Sequence, residues 1–171
     1  MLIRRVSISA LLVAVCLTLA SCNRATDPET AAPFVATDGQ PEVRTALAQD
    51  DPTLAALGVV RFNDMPNLSN IASVRLFGIG GGDQAMNGLR VYLGFVSPHD
   101  ERAFLLGDFY DYRLIAASPG RIDLEIDESV MDDAGQISQR THRVIVSWTE
   151  VAQEPSPNPE FPSAVTMTPA Q

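Results

Sequence analysis

The chain has 171 residues, 12 basic and 21 acidic, for a formal charge of −9 with 46% apolar content. Every basic residue is Arg; a lysine-free chain excludes Schiff-base chemistry and a P-loop, and an acidic chain without a basic cluster does not grip nucleic-acid phosphates. The length suits one domain with or without tails.

Residues 1–22 stand apart from the rest. Arg4 and Arg5 open a charged start, and Ile8 to Ala20 is an apolar run broken only by Ser9 and Thr18. That run is shorter than the roughly 20 residues of a spanning helix and has the pattern of a secretory signal. It ends in Leu19-Ala20-Ser21-Cys22, which resembles the lipobox of bacterial lipoproteins. The resemblance implies cleavage before Cys22, a diacylglycerol thioether on its sulfur and an acylated amine. It further implies a membrane partner through the lipid anchor, and Asn23 after the cysteine implies sorting to the outer membrane, facing the periplasm, with the inner membrane as the alternative. Cys16 lies within the discarded run, so the mature chain would have no disulfide and side chains summing to −11 (10 Arg, 21 acids). Such a fold rests on its hydrophobic core.

Residues 23–50, rich in Ala, Thr, Pro, Asp and Glu, read as a flexible tether that would reach at most about 90–100 Å stretched and about 30 Å as a coil. Within it, Val43 and Leu47 are spaced for one or two helical turns over 41–47. A body follows over 51–152. Asp51-Pro52 predicts a helix start and Gly58 its end. Strands are predicted at 59–62, 71–77 and 89–96, where Leu89, Val91, Leu93 and Phe95 alternate with their neighbours. Another is expected over 103–116, bulged or broken at Gly107-Asp108. Ser118-Pro119-Gly120-Arg121 is a turn. Beyond it, Ile122, Leu124 and Ile126 face one way and Asp123, Glu125 and Asp127 the other. After a loop at 132–136 comes a last strand with Val144, Val146 and Trp148 on one face.

Pairing Ile126 with Val144, Leu124 with Val146 and Ile122 with Trp148 makes these last two strands a hairpin, with the acidic stripe as a solvated outer face next to Arg143. The pattern predicts an all-β domain, an antiparallel β-sandwich or small open barrel of about six to eight strands with one short N-terminal helical turn. Residues 153–171 hold five prolines and read as a Pro-rich disordered tail, or, through Pro155 to Pro159, as a polyproline ligand.

The most distinctive stretch is the glycine-rich loop 78–88. It fails the dinucleotide fingerprint, because Asp83 stands where glycine is needed and a strand follows instead of a helix. Gly80, Gly81, Gly82, Asp83, Asn87 and Gly88 remain the candidate ligand or partner loop, with Asp83 and Asn87 offering hard oxygens to calcium or hydrogen-bond partners to the hydroxyls of a glycan. His99 and His142 lie in different elements and form no zinc set; no Gly-x-Ser-x-Gly elbow marks a nucleophile. Asp108, Asp111, Asp132 and Asp133 are not placed by sequence as a carboxylate pair across a cleft. Phe104, Phe109, Tyr110 and Tyr112 read as core with a tyrosine rim, or as a sugar platform. No enzyme activity, cofactor or metal is expected. The sequence leads to a non-enzymatic binding or envelope-assembly module with an envelope protein partner and no nucleic acid; it fixes no oligomeric state.

Overall fold

The computed structural model describes residues 32–57, 64–65, 68–69, 72–83, 86–149 and 161–171. The expected signal and Cys22, the first part of the tether, the strand at 59–62, Gly58 and Pro155 to Pro159 lie outside them. In chain order the elements are β1 (Glu42–Thr45), α1 (Pro52–Leu57), β2 (Asp64–Met65), β3 (Ser73–Asp83), β4 (Asn87–Val96), β5 (Glu101–Phe109), β6 (Asp111–Ser118), β7 (Arg121–Met131), β8 (Ile137–Ser147) and β9 (Ala164–Ala170). They form two antiparallel sheets, β1-β9-β8-β7-β6 and β2-β3-β4-β5, which is the all-β sandwich the alternation predicts.

The inner faces of both sheets build one core. Val74, Leu76, Val91, Leu93, Phe95, Phe104 and Leu106 come from β3–β5, and Ile122, Leu124, Ile126, Val144 and Val146 from β7 and β8. Phe95 sits at its centre, with edge-on contacts to Phe104 at 5.7 Å and Trp148 at 5.4 Å between ring centroids. A second, smaller core lies on the outer face of β3–β5, where Leu54 and Leu57 of α1 cover Phe77, Tyr92 and Ala103. Asp51 caps that helix by accepting from Thr53 N at 2.8 Å. This backbone hydrogen bond holds the Asp51 carboxyl below its ordinary pKa. The cap's contribution is therefore complete above the ordinary carboxylate range and fades as pH falls through the lowered value. Arg75 closes the other end, donating to Leu57 O at 2.6 Å.

The punctuation of the chain follows its turn residues. Pro119-Gly120 makes a two-residue hairpin turn with Ser118 opposite Arg121 and Gly120 at φ 76°. In β5 the extra residue is Leu106: Val91 pairs with Gly107, but Tyr92 with Leu105. The bulge thus immediately precedes the predicted Gly107-Asp108. The break comes at Tyr110, where the chain crosses between sheets and Tyr110 N donates to Asp127 O at 2.9 Å.

Four expectations are corrected. The tether is folded from Phe34 onward, and 42–45 is strand β1 where one or two helical turns were expected, because its backbone finds a ladder on β9 (Glu42 opposite Met167, Thr45 opposite Ala164) that outweighs a single apolar i, i+4 pair. The expected disordered tail contains β9, inserted between β1 and β8. Pro169 is tolerated there because the β1 ladder has ended at Met167; its carbonyl still accepts from Thr37 N at 2.9 Å. The β7–β8 register is displaced by two residues: Ile126 faces His142, Leu124 faces Val144 and Ile122 faces Val146. An even slip preserves the faces, so the core residues are those expected. Finally, the 78–88 loop is mostly strand, with β3 running to Asp83 and β4 starting at Asn87.

Gly94 lies beneath α1: a Cβ built there would come within 2.1 Å of Leu57 Cδ1, and Leu57 is fully buried. Gly94→Ala is expected to lower unfolding stability by about 1–3 kcal/mol through overpacking. Gly80→Ala, which meets nothing within 4 Å, should stay within about 0.5 kcal/mol. Urea denaturation of both variants checks the pair.

Candidate functional site

β7 and β8 are longer than the strands beside them. The β6 ladder begins at Asp111 opposite Asp127, and the β9 ladder ends at Arg143. Residues 128–142 therefore continue as a two-stranded ribbon past both neighbours. Along its inner face the apolar series Ile122, Leu124, Ile126 gives way to Glu128, and Val146, Val144 give way to His142 and Arg140. The side chains change character where a cleft separates them from β5. Arg140 Nη2 meets Glu128 Oε2 at 2.9 Å, with His142 Nδ1 3.7 Å from the same oxygen.

The ribbon tip is tightly built. Asp132 Oδ1 accepts from Ala134 N at 3.0 Å and Gln136 N at 2.8 Å, and Gly135 supplies the left-handed residue at φ 78°. This turn displays Val130, Met131 and Ile137 at 37%, 54% and 56% exposure. They are large apolar side chains on a rigid support, and Asp132 and Asp133 lie next to them.

Asn87 ties this ribbon to the glycine-rich hairpin. Its Nδ2 donates to Ser129 O at 3.1 Å, and its Oδ1 accepts from Ser129 N at 2.8 Å. Just beyond the start of β6, the β7 edge has lost its neighbour, and the side-chain amide supplies one donor and one acceptor as a strand residue would. Ser129 is buried, so leaving those groups unpaired would be costly. The other candidate loop residues follow from this frame. Gly80 pairs with Leu89, the ladder shifts between Gly80 and Asp83, Asp83 pairs with Asn87, and Gly88 is within β4. Asn87 is thus a clamp between sheets, occupied at both ends of its amide.

A cleft of about 540 Å³ opens between the ribbon and β5, lined by Arg44, Leu106, Asp108, His142 and Met167 among others. Its charges are mutually paired: Arg44 with Glu42, Arg90 with Asp108 at 3.5 Å, and Arg140 with Glu128. The wall therefore offers neutral pairs. A second hollow of about 690 Å³ lies at another edge, among Arg102, Trp148 and Phe161.

The outer face of β7 and β8 holds a further feature. Asp123, at 1% exposure, accepts from Arg121 Nε at 2.7 Å, from Arg121 Nη2 at 3.0 Å and from Phe34 N at 2.6 Å. Arg121 Nη2 also donates to Phe34 O at 2.5 Å. Arg143 stacks over the Phe34 ring at 5.1 Å and reaches Glu125 Oε2 at 3.3 Å, while Arg113 contacts Oε1 of the same carboxylate. The expected solvated stripe is instead closed at Asp123 by a strap from the N-terminal segment, and Ile145 is buried on the same outward side. Sequence alternation marked Asp123 as outward and could not show what covers that face.

The remaining candidates do not converge. His99 stands in a turn where Ser97 Oγ accepts from His99 N at 3.2 Å and Asp100 N at 3.1 Å, whereas His142 is on the ribbon. Phe104 and Phe109 are core residues, and Tyr110 is exposed. Among the described residues no group of three or more His, Cys, Asp or Glu is placed to hold a metal, and no helix is long and apolar enough to cross a membrane. Compared with protein-family models, curated proteins and solved structures, the chain matches none.

Asn87→Ala is expected to cost about 1–3 kcal/mol, the penalty for unpaired buried backbone groups, whether calcium or a chelator is present. Urea melts in both conditions check this. A loss of stability seen only when calcium is withdrawn from the unmodified chain would restore the loop as an ion site.

Proposed function

We propose that this chain is an outer-membrane-anchored periplasmic lipoprotein, a non-enzymatic module that binds a protein partner in the cell envelope. The anchor is Cys22 in its lipobox-like context. The observation that carries the binding role is the ribbon of β7 and β8, which extends past its neighbours and displays Val130, Met131 and Ile137 on a turn fixed by Asp132. Exposed apolar side chains on a rigid support bind with little loss of conformational entropy. The adjacent Asp132 and Asp133 favour a partner surface with apolar pockets and basic groups around them. The alternative, calcium or glycan binding through the 78–88 loop, is weakened because Asn87 is engaged with Ser129.

The test is cross-linking in intact cells, comparing the unmodified chain, Cys22→Ser, and a tip variant carrying Val130→Ser, Met131→Ser and Ile137→Ser. One dominant cross-linked partner is expected, lost in the tip variant and diminished without the anchor. Equal capture by the tip variant would remove the ribbon from the account.

A further inference from the structure

We infer that the strap centred on Phe34 is the fixed end of the leash, and that it holds the folded body against the lipid surface to which Cys22 is attached. This rests on the lipid-anchor reading above. A body starting at residue 51 would hang on 28 tether residues. The structure moves that point: Phe34 is fastened through both its backbone groups, the N–H to Asp123 at 2.6 Å and the carbonyl to Arg121 at 2.5 Å, with its ring beneath Arg143.

The residues that follow are held in turn. Val35 and Gln171 exchange backbone hydrogen bonds at 3.3 and 3.0 Å, Thr37 bonds Pro169, and β1 lies along β9 before Leu47 N reaches Ala103 O of β5 at 2.9 Å. Only twelve residue steps separate Cys22 from Phe34. Fully stretched they span at most about 40–43 Å, and as a coil about 17–21 Å, the latter less than the length of the eleven-residue strand β7 at about 3.3 Å per residue. The body is therefore confined to within about its own dimension of the membrane, and the partner surface must be reached there. Release of the strap as far as Glu42, where β1 begins, would lengthen the leash to twenty steps, or about 66–72 Å stretched.

The clamp is built as a fastening. Asp123 keeps its Arg121 partner when Phe34 leaves, so the strap can be detached without stranding a buried charge. Phe34→Pro alone leaves Val35 and Thr37 bonded to Gln171 and Pro169, so release as far as β1 takes the triple variant Phe34→Pro, Val35→Pro, Thr37→Pro, which removes all three N–H donors and the ring and leaves the Asp123–Arg121 pair in place. The mature chain has no thiol apart from Cys22, so Ala134→Cys on the ribbon turn can be labelled uniquely.

Full-length acylated protein carrying a donor dye at that position would be reconstituted into phosphatidylethanolamine–phosphatidylglycerol vesicles containing a headgroup-labelled acceptor lipid. The fluorescence of Trp148, the single tryptophan, verifies that each variant is folded. Energy transfer is expected to fall in the triple variant, and to fall similarly when eight Gly/Ser residues are inserted after Arg24 with the strap intact. Transfer unchanged in the triple variant but lowered by the insertion overturns the inference and leaves the anchor standing. Absence of acyl chains on Cys22 by mass spectrometry overturns the anchor reading and the leash with it.

Discussion

A carboxylate with one per cent of its surface exposed must be matched by donors, and Asp123 draws one of them from a residue 89 positions away. Arg121, two residues along the same strand, neutralises it, and Phe34 completes the set. Losing a hydrogen bond to a charged group typically costs about 1.5–3 kcal/mol. The arrangement therefore fixes the N-terminal segment on the outer face of β7 and β8 and starts the path that leads into β1. It also explains why the sheet is built from both ends of the described chain: β1 pairs only with β9, and β9 reaches the rest of the sheet only through β8.

The second constraint is length. β7 and β8 are eleven residues each, and the ladders of β6 and β9 stop short of their far end. A two-stranded ribbon is marginal alone in water, and here it is steadied by the Asn87 amide, the Arg140–Glu128 pair and the Asp132 turn. These polar contacts replace the core that supports the same strands at Ile122, Leu124 and Ile126. A rigid projection with apolar side chains at its tip is the outcome, and the proposed partner binding depends on that rigidity.

Much of the sandwich was legible in the sequence because alternation is a local signal. Val91, Leu93 and Phe95, and Ile122, Leu124 and Ile126, declare their faces within a few residues, and Pro119-Gly120 declares its turn. The ends were not legible: β1 has only four residues, the alternation Val165-Thr166-Met167-Thr168 of β9 is short and set among prolines, and the pairing of the two strands spans more than a hundred residues. The β7–β8 register was missed by two because apolar pairs fit equally well in either alignment, and the choice falls to the turn at 132–136. Asn87 was legible as a functional-looking residue in a glycine-rich loop. Its true partner, the backbone of Ser129, has no side-chain signature from which sequence reasoning could have found it.

Residues 42–45 and 164–170 are integral strands of the larger sheet, and residues 34–37 are fastened beside them. Hydrogen exchange followed by mass spectrometry, with peptides covering both segments, tests this most directly. Protection approaching that of Leu124 and Val146 in the core is expected for the hydrogen-bonded amides of Phe34, Val35, Thr37 and β1, and for β9 from Val165 to Thr168. Exchange of both segments at the rate of an unstructured chain, with the core still protected, would contradict it.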